Sequence, residues 1–532
     1  MLKRSSVVRN AACEDVIGKF YPWFAGQRSR YGVCLPGELL RGDVLASHST
    51  MADYDLVISG GTVVTAADTY AADVGIRDGR VAAIGLDLRG ARVLDASGLL
   101  VMPGGVDSHC HIEQLQEGGG ADEETFVTGS RSALAGGTTT VIPFSTQFKG
   151  QGLTASLAEY RRRAAAAMVD YSFHQIITDP TDDVILREVP EIVASGIRSL
   201  KVFLTYDPLH LDDRQFLRVL AAARRCGALV TVHCENHDAI AWRTAALLAD
   251  GRTAPKYHAW SRPAVIEREA TYRAIALAEL VDQPIQIFHV SCPEVANEIA
   301  RAQARGLKVW GETCPQYFVL SASDMDRPGF EGAKFMCSPS PRDRQASDGL
   351  WECLRRGTLD VVSSDHSGWS FDSRIGKRVN GSDASFRDVP NGVPGLGSRL
   401  PILFSEGVSK GRISASTFVQ VTATNPAKLF GLYPTKGTIA PGADADLVLW
   451  DPVKRTTLTN ALVQHVIDYT PYEGLEVTGW PVATLRRGEV VMRDGVVTAA
   501  PGSGRFLPRG PYDLIAPTGR VPDGFDASAF PV

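Results

Sequence analysis

The sequence predicts a TIM-type (β/α)8 barrel joined to a smaller β-sandwich domain formed from both chain ends. Three observations lead there. Eight short apolar runs alternate with stretches of helical period between about residues 99 and 429. Strand-rich, glycine-punctuated sequence lies on both sides of that middle. Six candidate metal ligands fall within, at or just past the ends of the apolar runs.

The first fifty residues keep no period of 2 or 3.6, and strand patterning starts only after Met51. Residues 1–50 are read as an N-terminal extension outside the fold, or as sequence upstream of a translation start at Met51. From Tyr54 to about residue 98, short strands are separated by Gly60-Gly61, Asp78-Gly79 and Ser97-Gly98, the composition of hairpin turns. The same texture returns around Lys436–Asp451 and Val482–Gly495, so segments 51–98 and 430–498 are expected to pair into one sandwich. The barrel, 99–429, is built on the runs Leu99–Met102, Thr138–Pro143, Tyr171–Ile177, Leu200–Leu204, Leu229–Val232, Ile285–Val290, Val309–Glu312 and Val361–Ser364. Stretches rich in Ala, Arg, Glu and Leu after Leu157 and after Val295 are strong helix formers between them. A doubly wound open sheet is the alternative. The tail, 499–532, carries Pro501, Pro508, Pro511, Pro517 and Pro522 and reads as an extended segment that packs on a neighbour or stays mobile.

Composition excludes several classes. With 55 Lys+Arg against 60 Asp+Glu and no cluster of bases among aromatics, nucleic-acid binding has no electrostatic support. The nine cysteines lack CxxC pairs or a regular framework, which suits reduced thiols in a cytoplasmic protein. No apolar run approaches the ~18 residues of a membrane helix.

The chemistry lies in His109 and His111, Lys201, His233, His289 and Asp365. Side chains alternate along a strand, so His-x-His sends both imidazoles to one side, where they can chelate a divalent ion. Alone, the pair reads as ordinary loop histidines; with His233 and His289 also at strand ends, a metal centre is the better account. Lys201 sits inside an apolar strand. It is either a snorkelling lysine or one whose amine, neutralised by desolvation, takes up carbon dioxide to form a carbamate bridging two ions. The second reading is preferred because no Asp or Glu at that strand end can supply the anionic bridge. Asp365 can ligate one ion and carry a proton. His366 should point away, His174 reads as a core histidine, His237 as surface, and Gly118-Gly-Gly is too loose for a phosphate loop.

At these residues the sequence resembles the dihydropyrimidinase and hydantoinase family of the amidohydrolase superfamily, from about residue 54 to 506. The resemblance also rests on Gly104-Gly-Val-Asp-Ser-His-Cys-His, Gly136-Gly-Thr-Thr-Thr, Lys201-Val-Phe-Leu-Thr-Tyr, Gly311-Glu-Thr-Cys-Pro-Gln-Tyr, Gly332-Ala-Lys-Phe, Ser338-Pro, Ser364-Asp-His, Pro390-Asn-Gly and Lys436-Gly-Thr-Ile. It implies two zinc-like divalent ions, with manganese or another divalent metal as alternatives. His109, His111 and Asp365 would hold one, His233 and His289 the other, and N6-carboxylated Lys201 would bridge them. It implies that Tyr206 donates to the developing oxyanion, and that Ser338 and Asn391 hold the substrate's imide-like edge. A bridging hydroxide would then open the ring amide of a dihydropyrimidine or 5-substituted hydantoin to an N-carbamoyl amino acid, with Asp365 passing the proton. A homotetramer is also implied.

Departures bear on substrate choice. Glu113 stands where related dihydroorotases place an arginine for their substrate's carboxylate, so a neutral ring is expected. His210 replaces a usual bulky aromatic, and Ser367-Gly-Trp a usual Cys-Pro-Phe. Another cyclic amide, such as allantoin, a cyclic imide or a specialised catabolite, is the competing substrate reading. A non-catalytic scaffold is disfavoured because all six ligands are present.

Overall fold

The computed structural model describes residues 53–116 and 121–526; the N-terminal extension and Gly118–Gly120 lie outside them. Two sheets from both chain ends face each other. One has four strands in the order Arg80–Gly85, Asp73–Arg77, Tyr54–Ser59, Gly90–Asp95. The other has seven and is centred on the antiparallel pair Leu447–Thr457 and Glu476–Arg486. Leu56, Ile58, Val74 and Ile76 of the first sheet pack with Val63, Val101, Leu447, Leu449 and Leu485 of the second. The Asp78-Gly79 turn has φ of 51° and 74°, the double left-handed geometry that matches the twist of a two-residue hairpin.

The barrel consists of β1 (Gly105–His111), β2 (Thr138–Ser145), β3 (Asp170–Tyr171 and His174–Ile176), β4 (Ser199–Phe203), β5 (Leu229–His233), β6 (Ile285–Ile287), β7 (Val309–Thr313) and β8 (Val361–Val362 and His366–Ser367). Neighbours pair in parallel, and the second piece of β8 closes on β1 through His366 opposite Cys110. Every residue of β2, β4 and β5 is buried, as expected of strands covered on both faces. Helices follow the strands, for example Asp213–Cys226, started by an Asp212 capping box with Gln215 and stopped by left-handed Gly227.

Two elements differ from the sequence reading. The run expected as the first barrel strand, Leu99–Met102, belongs to the seven-stranded sheet: Leu100–Pro103 pairs with Leu447–Thr457 and Thr62–Val64. Gly104 and Gly105 then turn the chain into the barrel; a Cβ on Gly104 would meet Thr139 Oγ1 at 2.3 Å. The tail, through Asp526, packs against its own chain. It runs along the N-terminal end of its own barrel, where Tyr171 N–H donates to Arg505 O (2.9 Å) and Arg509 N–H to Gly196 O (3.0 Å). Buried Arg509 reaches Ser199 Oγ at 2.9 Å. The seven cysteines among the described residues are unpaired, and no described helix is long and apolar enough to cross a membrane.

Candidate metal centre and active site

The barrel brings the six candidate ligands to one end. His109 and His111, two apart on β1, lie with ring centroids 5.6 Å apart. Their Nε2 atoms are 3.1 and 3.4 Å from Asp365 Oδ1, and the three donor groups lie within 4.8 Å of one another. Asp365 sits at the break in β8 with φ of 48°, its N–H donating to His109 O at 2.9 Å. His289, two residues beyond β6, has φ of 41°, and Tyr206 beyond β4 has φ of 71°. Left-handed backbone is uncommon outside glycine and costs about 1–3 kcal/mol where it is strained, so three such residues in one cluster point to a functional constraint.

His289 stacks edge-on to His233 (4.4 Å) and lies 5.3 Å from His109, and Tyr206 is 5.2 Å from His233. Lys201 lies among them, fully buried. Its Nζ has no hydrogen-bond partner and rests 4.2 Å from the Phe288 ring and 4.7 Å from Phe203. Burial lowers its pKa to about 7, against the opposing pull of Asp365 and Glu312. Burial likewise lowers His233 to about 4 and holds His289 well below its usual value. Burial pushes the Asp365 carboxyl up, but His109 and His111 outweigh it and hold it well below the usual carboxylate range.

Two buried carboxylates that sequence reasoning passed over orient the imidazoles. Glu312, at the end of β7, receives His109 Nδ1 at 2.6 Å, Ser363 Oγ at 2.9 Å and the His289 N–H at 3.4 Å. That bond leaves His109 Nε2 facing Asp365. Glu235 bonds His233 Nε2 at 2.8 Å and receives Arg262 at 2.7 Å, which leaves Nδ1 of His233 free for an ion. Burial raises Glu235, but Arg262 and His233 more than reverse this and bring it to about 2. Gln114 serves His111 Nδ1 in the same way. The signal for Glu235 was present two residues after His233, whereas Glu312 is 203 residues from its partner. Carboxylate–histidine pairs of this kind set ligand tautomer and basicity.

Tyr206 has its pKa raised by burial, and the Arg262 guanidinium lies 5.4 Å from its ring. Ser338 Oγ is 3.3 Å from His258 Nε2. Asn391 is half-buried with Oδ1 unpartnered, and its neighbour Gly392 donates to Met336 O at 2.9 Å, which ties the Asn391 strip to the Ser338 strip. His174 is a core residue bonded to Ser108 O and Ser199 Oγ. His366 is buried with Nε2 3.5 Å from Glu124, and His210 stacks on His237 at 4.3 Å.

Glu113 behaves differently from expectation. Its carboxylate receives Arg163 at 3.0 Å and the Phe126 N–H at the start of helix Phe126–Ala135 at 3.0 Å. Paired in this way it presents no free negative charge, so the expected repulsion of a carboxylate-bearing ring has no source there.

The amidohydrolase family model matches residues 100–491, the barrel and most of the second sheet. D-hydantoinase of Geobacillus stearothermophilus is 45% identical over 464 residues, 86% of this chain and 97% of that protein. D-hydantoinase of Rhizobium radiobacter is 44% identical over 463 residues, 86% of this chain and 99% of that protein. The chain belongs to the amidohydrolase family, in its hydantoinase and dihydropyrimidinase branch. The crystal structure of dihydropyrimidinase from Brevibacillus agri NCHU1002 superposes with a TM-score of 0.83 at 42% identity, covering 86% of this chain and 99% of that one. Amidohydrolases use divalent metal, and the His109, His111 and Asp365 cluster is where this member presents such a ligand set.

Proposed function

We propose that the chain is a metal-dependent cyclic amidohydrolase that opens the ring amide of 5-substituted hydantoins or dihydropyrimidines to N-carbamoyl amino acids. The observation that carries this reading is the convergence of four histidines and Asp365 on a buried lysine amine that has no hydrogen bond. An amine brought to about 7 is about half neutral at pH 7, against almost none for an ordinary lysine, and the neutral form is the one that takes up carbon dioxide. His109, His111 and Asp365 would hold one divalent ion, His233 and His289 a second, and carboxylated Lys201 would bridge them. Zinc fits these ligands, as do manganese and other divalent ions. When bound, the ions supply Lewis-acid polarisation of the ring carbonyl and activation of water near neutral pH.

The chain's own residues do the rest. Tyr206 stays protonated at neutral pH and donates to the oxyanion as the carbonyl becomes tetrahedral. Asp365 takes the proton of the attacking water and delivers it to the departing ring nitrogen. Ser338 and Asn391 hold the amide edge, largely through backbone groups. A homotetramer is the expected assembly, and light scattering of the purified protein measures it.

The test is conversion of dihydrouracil and of 5-substituted hydantoins, with products separated by chromatography and weighed by mass spectrometry. The reading expects a gain of one water and an N-carbamoyl amino acid from at least one ring. Turnover of neither, in protein holding two ions per chain, would move the substrate to another cyclic amide.

A further inference from the structure

Lys377 lies in the long segment that follows β8, and it is 1% exposed. A buried ammonium normally has a carboxylate beside it, because desolvating an unpaired charge is expensive. Among the described residues no carboxylate lies within ion-pair distance of this one. Its Nζ donates instead to three backbone carbonyls, Met336 O at 3.0 Å, Pro390 O at 2.8 Å and Gly392 O at 2.5 Å. Those three bonds use every donor an ammonium has. Burial lowers the Lys377 pKa to about 7, the direction expected of a cation stabilised only by dipoles.

The three carbonyls are not arbitrary. Met336 is two residues before Ser338, and Pro390 and Gly392 flank Asn391. Met336 O also accepts the Gly392 N–H at 2.9 Å, so one carbonyl joins the two strips through both a backbone amide and the ammonium. The Lys377 backbone is fixed in turn by its N–H donating to Ser370 O at 2.8 Å. A purely packing role would not require a charge, and an apolar side chain of this length would spare the desolvation.

We propose that Lys377 is a positioning residue for the substrate: by gripping Met336, Pro390 and Gly392 together, it sets the spacing of the two backbone strips that receive the ring's amide edge. It touches neither the reacting carbonyl nor a metal ligand, so its contribution falls on substrate affinity rather than on bond breaking. The substrate part rests on the functional reading above; the clamp itself does not.

The test compares wild type, K377M and K377R, all metal-loaded, on dihydrouracil and a 5-substituted hydantoin. Methionine keeps the length and removes the donors. Arginine keeps the charge, but its longer side chain and planar fork do not place a single nitrogen where the Lys377 ammonium sits, so the spacing of the three carbonyls changes. KM is expected to rise about tenfold or more in both variants while kcat changes by less than about threefold, with metal content unchanged. A folded variant with unchanged KM, or one in which only kcat falls, overturns the substrate role, and K377R keeps the test decisive if K377M does not fold. The clamp is read separately by hydrogen exchange at the Gly392 amide, expected to quicken about tenfold or more in the variants. Unchanged exchange there overturns the clamp. Wild-type protein that opened neither ring would instead contradict the functional reading, whatever the exchange result.

Discussion

Replacing Glu312 with glutamine isolates how much of the metal site depends on a residue that touches no metal. Glu312 is fully buried and holds His109 Nδ1, Ser363 Oγ and the His289 N–H. In E312Q the amide oxygen can still accept from His109, and the amide nitrogen can donate to the Ser363 hydroxyl. Bond count is therefore nearly kept, and what is lost is the negative charge behind the imidazole. A charge-assisted bond is roughly twice as strong as a neutral one, so the loss is about 1–1.5 kcal/mol. That corresponds to about a tenfold weaker hold on the His109 ion, at the low end of the 10–100-fold typical for such partners. E312A, which strands His109 Nδ1 and the His289 N–H and leaves Ser363 Oγ only Ser108 Oγ, should cost more in both metal affinity and stability. Competition with a chelator measures the dissociation constant, and thermal unfolding of the metal-free protein checks that the barrel is intact. Folded E312Q with wild-type metal affinity would refute the reasoning, because His109 would then not need the charge.

Other expectations follow from the same geometry. K201A should lose metal and activity, with part of both restored by added acetate or propionate standing in for the carbamate; full activity in the unsupplemented variant would remove the bridging role. Glu235 has its folded pKa depressed to about 2 from 4.5, so its stabilisation is fully present above about pH 4.5 and is lost as pH falls through 2. The stability gap between metal-free wild type and E235Q should therefore narrow across that window in denaturant melts, and a gap that widened toward acid would contradict the sign. E113Q should leave discrimination between neutral and carboxylate-bearing rings unchanged, since Glu113 is already paired with Arg163, while weakening the fold by about 1 kcal/mol through the lost ion pair and helix-start bond. Relaxed discrimination in E113Q would reinstate its expected part in specificity.

The parts of this molecule legible in the sequence are those written in local pattern. Runs such as Leu229–Val232 are largely apolar because both strand faces are covered, and a histidine or lysine in or just past such a run stands out against its neighbours. β1 was displaced because its sequence is not apolar: Asp107, Ser108, His109 and His111 fill it with site chemistry, while the preceding Leu100–Pro103 looks more like a barrel strand than the strand itself does. Glu312 lies 203 residues from His109, and only closure of the barrel brings the two together. Glu113 misled for the converse reason: residue type suggested a charge in the pocket, and a contact fifty positions away at Arg163 takes it up. Lys377 carries no sequence signal of its role, since only the fold brings three carbonyls to its amine.

The most direct test of the account is a metal titration of metal-free protein in bicarbonate buffer, with ring opening of a 5-substituted hydantoin and of dihydrouracil followed at each addition. The account predicts no turnover without metal, a rise that levels off at two ions per chain, and no rise in K201A. Full-rate ring opening by the metal-free protein, or none of either ring at two ions per chain, would contradict it.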